Sequence, residues 1–172
     1  VYVGDAYADA RRNKVIHQPH ACVYGTTVPQ SLYEGLTAEN VTDGFLSRVM
    51  IFESSSDRAP RQRPVIQSVP DDLVEVARWW IEYQPGGNLA AENPSPRPIT
   101  ATTSASAAFD ALDDVAEQTQ LALGDPLGTL WTRATEKARK LALIRCCSRA
   151  RESPEIDEAD AVWACELSRY LT

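Results

Sequence analysis

The chain has 172 residues, room for one domain or two small ones, and at 44% apolar it can bury a core. Its 24 acidic and 17 basic residues leave a formal net charge of -7 and a pI of about 4.8. That balance argues against a stand-alone nucleic-acid binder, because phosphate neutralisation needs a basic face, although it leaves room for a local basic patch.

In chain order, Val1-Tyr2-Val3-Gly4 reads as a short strand ending in glycine. Ala6 to Arg12 holds helix formers, with Arg11, Arg12 and Lys14 as a small basic cluster. Ala21 to Tyr24 is a short apolar run that ends in Gly25-Thr26-Thr27, the pattern of a buried strand. Pro29 suits the first turn of a helix whose face is Leu32, Tyr33 and Leu36. Asn40 to Asp43 is polar and Gly44 permits a turn. Phe45 to Arg48 closes a short helix before a second predicted strand, Val49 to Glu53.

Ser54 to Val69 is a loop with two prolines, and its Arg58, Arg61 and Arg63 are the best candidates for a nucleic-acid or phosphate contact, with a solvated loop as the plainer reading. Pro70-Asp71-Asp72 starts a helix with acids in its first turn. Its apolar face is Leu73, Val76, Ala77, Trp80 and Ile81, with Trp79 beside it. The Pro- and Gly-rich residues 85–98 form a linker. Pro98 to Thr102 reads as an edge strand. Ser104 or Ser106 caps a helix to about Gly124, with a stripe of Ala108, Leu112, Val115, Ala116 and Leu123 and with Phe109 beside it. Leu127 to Arg149 is the strongest helix, on Leu127, Trp131, Ala134, Ala138 and Leu141. Asp157 caps a last helix whose face is Ala159, Val162, Trp163, Glu166 or Leu167, and Tyr170 or Leu171.

The expected fold is an α/β portion, residues 1–84, followed after the 85–98 linker by a mainly α-helical domain, residues 99–172, helix-rich overall. The four cysteines, Cys22, Cys146, Cys147 and Cys165, form no C-x-x-C pair, and zinc-ligand spacing with His17 and His20 is absent. Reduced, mostly buried thiols in a cytoplasmic protein are expected. No signal peptide or membrane-length apolar run is present, so no membrane partner is expected. The only methionine is Met50, and the chain opens on Val1, so a fragment of a longer polypeptide, or a processed chain, is expected.

Two stretches carry a resemblance. His17-Gln18-Pro19, Gly25-Thr26-Thr27-Val28-Pro29 and Asp43-Gly44-Phe45-Leu46-Ser47-Arg48 make the first. Arg133-Ala134-Thr135-Glu136, Arg139-Lys140-Leu141-Ala142, Ile156-Asp157 and Ala159 to Tyr170 make the second. In order and spacing the chain resembles the C-terminal part of phage and prophage primase/helicase-like P-loop ATPases of the DUF3987 kind. Arg-x-x-Glu-x-x-Arg-x-Leu-Ala is also similar to the helical lid of MCM and related AAA+ motors.

The resemblance implies that residues 1–84 are the C-terminal part of a P-loop NTPase core and that 99–172 are a lid. Thr26 or Thr27 matches a sensor-1 position, and Arg48 matches an arginine finger reaching a neighbouring subunit's nucleotide. Arg133 matches a sensor-2 position, with Arg139 the second choice. ATP and Mg²⁺ are implied for the full-length protein, with none bound by this chain alone. Single- or double-stranded DNA and a homo-oligomer are the implied partners. The departure is that G-x-x-x-x-G-K-[ST] is absent, and so is an apolar run ending in paired acids.

Plainer readings stand beside these. Thr26 and Thr27 are suited to closing a strand with side-chain hydrogen bonds. Arg48 is suited to pairing with Asp43 or Glu53, and Arg133 to an exposed face shared with Glu136 and Lys137. The tryptophans suit core packing better than base stacking. The alternative function is a non-enzymatic helical interaction or adaptor module, motivated by the acidic pI and the missing P-loop.

Overall fold

The structure, a computed structural model, describes residues 2–3, 15–16, 21–54, 68–83 and 96–172. The chain divides into two compact units, one of residues 1–25 with 56–98 and the other of residues 26–55 with 99–172.

In the first unit, β1 (Tyr2–Val3) pairs antiparallel with β2 (Val15–Ile16), Tyr2 opposite Ile16. One helix, α4 (Asp71–Glu82), follows Pro70 and carries Asp71 and Asp72 in its first turn, where the helix dipole favours anions. None of its residues is buried. Trp79 stacks on Tyr83 at 4.8 Å between ring centroids and meets Trp80 edge-on at 4.8 Å, so these aromatics pack on one another. The basic cluster Arg11, Arg12 and Lys14, both histidines, the arginines of 58–63 and most of the 85–98 linker lie outside the described residues.

The second unit starts with three short helices, α1 (Pro29–Gly35), α2 (Ala38–Thr42) and α3 (Phe45–Arg48). Pro29 takes the first helical position, where its missing N–H costs nothing. The stretch read as a polar loop, Asn40 to Asp43, is mostly helix α2, because Asn40 Oδ1 accepts the Thr37 N–H at 2.9 Å and nucleates the turn. Gly44 then takes φ 76°, the left-handed region, and Phe45–Arg48 is helical as expected.

The two strands predicted here do not form. Residues 21–28 and 49–54 carry no ladder partner, and Val23 and Tyr24 are almost fully exposed. An apolar run of four residues satisfies its backbone as a strand only beside another strand, and the described residues offer it none. Met50 instead packs against the helical core. Among the described residues these two strands of the expected α/β portion are absent, and the helix-rich character stands.

That core is three long helices, α5 (Thr103–Leu123), α6 (Ala134–Arg149) and α7 (Glu158–Leu171). Thr102, rather than Ser104 or Ser106, is the N-cap of α5, its hydroxyl accepting from the Ala105 N–H at 3.2 Å. Asp157 caps α7, accepting the Asp160 N–H at 2.9 Å. The predicted edge strand is an isolated parallel bridge, Ala101 to Ile156, with Thr102 N–H on the Ile156 carbonyl and Ile156 N–H on the Thr100 carbonyl, both at 3.0 Å. It sets the starts of α5 and α7 side by side. The helix predicted over Leu127–Arg149 is broken in two, a 3₁₀ helix over Leu127–Arg133 and then α6. Gly128 is the contact that seats the 3₁₀ helix on α5, because a Cβ there would stand 2.7 Å from the Gln120 carbonyl oxygen. Thr129 Oγ1 donates to the Val41 carbonyl at 3.2 Å and ties α2 to the same segment.

The α6–α7 interface is built from small residues. Ala134, Ala138 and Ala142 on α6 and Ala161, Ala164 and Ser168 on α7 are fully buried. Ser168 Oγ donates to the Ala134 carbonyl at 2.7 Å across the interface. This corrects part of the predicted face of α7: Val162, Trp163 and Tyr170 are exposed and the small residues face inward, while Leu167 packs against the core as expected. Small side chains let the helix axes approach closely, which gains contact on both sides and leaves the large side chains outside. Phe109 and Leu112 from α5 fill the remaining core with Leu141 and Ile156.

Candidate functional site

An open groove of about 480 Å³ runs along the N-terminal half of α6, with Asp113 of α5 contributing to its wall. It is lined by Arg133, Arg139 and Lys140, by the acids Asp113 and Glu136, and by Thr132, Thr135 and Leu143. Arg133 ends the 3₁₀ helix, and the others on α6 follow at three- and four-residue steps, which place them on one side of a helix.

The charges are paired within the groove. Glu136 takes Arg133 Nη1 on one carboxylate oxygen at 2.6 Å and Lys140 Nζ on the other at 2.7 Å. The hydrogen bond from Lys140, then that from Arg133, holds the Glu136 carboxyl below the usual carboxylate range. Arg139 lies over the Phe109 ring, 5.2 Å from its centroid, and reaches Asp113 loosely at 3.8 Å. Three cations against two carboxylates leave the groove one positive charge. Thr135 is more than nine-tenths buried in the groove wall, and its hydroxyl has no partner. In an α-helix such a hydroxyl usually bonds the carbonyl one turn back. Here that carbonyl, of Trp131, takes the Ala134 N–H as the 3₁₀ helix closes.

Of the residues singled out in the sequence, Arg133 and Arg139 meet in this groove. Thr26, Thr27 and Arg48 do not line it. Thr26 and Thr27 lie exposed in the extended segment before α1, and Thr27 Oγ1 makes one long contact with the Val28 carbonyl at 3.5 Å. Arg48 is exposed, and its guanidinium folds back to donate to the Gly44 carbonyl at 2.6 Å. The pairing considered for it, with Asp43 or Glu53, is not the contact made. Asp43 instead caps the next turn, accepting the Phe45 N–H at 2.7 Å.

Lys137, grouped by sequence with the exposed face of Arg133 and Glu136, is buried. Its Nζ donates to Thr172 Oγ1 at 2.7 Å, and burial pushes its ammonium pKa down. Asp113, Thr132 and Leu143 are the groove residues that sequence reading did not name, and Lys140 and Thr135 stood in the quoted motifs without an assigned role. The Glu136–Lys140 spacing of four was a legible signal. Asp113 had none, because it arrives from another helix.

The cations suit phosphate oxygens, with the arginines offering planar forks and Lys140 a point charge. Among the described residues, no cluster of three or more His, Cys, Asp or Glu side chains is placed to hold a metal. Cys146 is buried with its thiol pKa pushed up to about 11 by desolvation, and burial also raises that of Cys165. Thiols so placed are poor nucleophiles. Among the described residues, no helix is long and apolar enough to cross a membrane. Compared with protein-family models, curated proteins and solved structures, the chain matches none of them.

Proposed function

We propose that this chain is the C-terminal, lid-bearing part of a phage-type primase/helicase-like ATPase, and that it contributes phosphate-contacting residues to a nucleotide site it does not complete alone. The observation that carries the reading is the meeting of Arg133 and Arg139 in one groove with Lys140. In this reading the P-loop and the Mg²⁺ ligands come from elsewhere in a longer polypeptide, because the chain has no G-x-x-x-x-G-K-[ST]. Arg133 and Arg139 then stabilise charge on the nucleotide's phosphates from the lid side. Arg48 acts in trans on a neighbouring subunit's nucleotide, and Thr26 or Thr27 orients water beside the γ-phosphate. DNA and a homo-oligomeric assembly are the partners.

The test is DNA-stimulated ATP hydrolysis by a polypeptide carrying this chain behind its P-loop region. Arg48→Ala and Arg133→Ala are each expected to lower kcat by about 10²-fold or more, the scale of losing one charge-stabilising donor. Full activity in both variants refutes the assignment.

A second reading, a helical interaction or adaptor module, is favoured by the outer face of α7. Val162, Trp163 and Tyr170 are apolar and exposed there. A parent chain without a P-loop, together with loss of partner binding in Trp163→Ser/Tyr170→Ser, would select it.

A further inference from the structure

We infer that the α6 groove is a polyphosphate site held closed by its own carboxylate, with Glu136 occupying the place of the ligand. This rests on the reading of the groove as a phosphate contact and adds how the site is regulated. The geometry points to it in three ways. First, the two Glu136 oxygens each satisfy a different cation, Arg133 at 2.6 Å and Lys140 at 2.7 Å. Two oxygens of one phosphate group make the same pair of bonds, so carboxylate and ligand compete for one position. Second, the closure is weak. Glu136, Arg133 and Lys140 all have side chains at least 44% exposed, and ion pairs of that kind are readily exchanged. A polyphosphate brings more charge than the carboxylate it displaces. Third, the groove holds unused capacity. The Thr135 hydroxyl has no partner, and the Arg139–Asp113 pair is stretched to 3.8 Å. Neither is needed to hold Glu136, and the loosely paired, exposed Arg139 guanidinium is available to further phosphate oxygens.

Glu136 thus sets the threshold for binding. With the carboxylate in place the groove has one net positive charge, and with Glu136 neutralised it has two. A groove of about 480 Å³ has room for a polyphosphate chain.

The experiment is titration of the 172-residue chain with sodium tripolyphosphate at fixed ionic strength, followed by isothermal calorimetry. Glu136→Gln keeps the side chain's shape and removes its charge. It is expected to bind about tenfold more tightly than the unaltered chain, the order expected for removing a like charge beside the ligand. Adding Arg133→Met to Glu136→Gln is expected to abolish that gain. Equal affinity for the unaltered chain and Glu136→Gln overturns the gate while leaving the groove a phosphate site. A gain that survives Arg133→Met also overturns it, because the charge then acts without the groove. Absence of binding by both at millimolar tripolyphosphate overturns the phosphate reading and the gate together. Thermal melts of each variant confirm that the comparison is between folded chains.

Discussion

The Asp160 carboxylate, in the first turn of α7 and 1% exposed, accepts a hydrogen bond at 2.7 Å from Nη2 of Arg149, the last residue of α6. The same guanidinium nitrogen lies 2.9 Å from the Asp157 carboxylate and donates to the Glu155 carbonyl at 3.2 Å. Arg145, stacked over Trp163, reaches the other Asp160 oxygen at 3.4 Å. One buried acid therefore fixes how the end of α6 meets the start of α7.

Asp160→Ala is expected to destabilise the helical unit by about 1.5–3 kcal/mol, the scale of a hydrogen bond to a charged group. Arg149→Ala should cost more than Arg145→Ala, because Arg149 also holds Asp157 and the Glu155 carbonyl. Urea unfolding monitored by circular dichroism measures all three. Equal midpoints for Asp160→Ala and the unaltered chain would show that the network carries no stability.

Gly128 makes the closest approach between the 3₁₀ helix and α5. The Cβ of an alanine would lie 2.7 Å from the Gln120 oxygen and 3.3 Å from its Cα, and backbone cannot rotate away as a side chain can. Gly128→Ala is expected to cost about 1–3 kcal/mol, the range for overpacking. The Gly35→Ala control, with open space around its Cβ, should leave the melting temperature nearly unchanged.

The Asp160 amide, and after it Arg149, holds the Asp157 carboxyl below its ordinary pKa of 3.8. A carboxylate with a depressed pKa in the folded state stabilises fully above its unfolded pKa. That contribution is lost as pH falls below about 3.8 toward the lowered folded value. Asp157→Asn keeps a capping side chain and removes the titration. Its melting temperature should therefore fall less steeply than that of the unaltered chain across this acid window, with the two curves parallel near neutrality.

At pH 8 iodoacetamide should label exposed Cys22 first and leave Cys146 and Cys165 nearly untouched until the chain unfolds. Peptide mapping with time reads the order. Rapid labelling of Cys146 in the folded chain would contradict its burial and its raised pKa.

The long helices were legible because three- and four-residue spacing survives whatever packs against it, as at Phe109, Leu112 and Ala116 or Ala134, Ala138 and Leu141. Two features were not. Leu127 and Trp131 continue the α-helical spacing into α6, yet that segment is 3₁₀, because the Gly128 contact with Gln120 is a tertiary one. On α7 Val162, Trp163 and Tyr170 suggested a face that is exposed, and of the large side chains named there Leu167 packs inward, because alanine and serine, silent in a hydrophobic pattern, form most of the interface. The predicted strands fail for a related reason, since an apolar run of four residues says nothing about whether a neighbouring strand exists. Of the groove, Arg133 and Arg139 were readable from motif and Glu136 with Lys140 from spacing. Asp113 and the unpartnered Thr135 hydroxyl depend on where α5 and the 3₁₀ helix lie.

The Ala101–Ile156 bridge carries one more consequence. Its two hydrogen bonds join segments separated by all of α5, the 3₁₀ helix and α6, so they exist only when the whole helical unit is closed. The Thr102 and Ile156 amides should then exchange with deuterium at the rate of global opening, not of local fraying. They are natural reporters of whether a ligand in the α6 groove tightens the entire unit or only the helix that it touches.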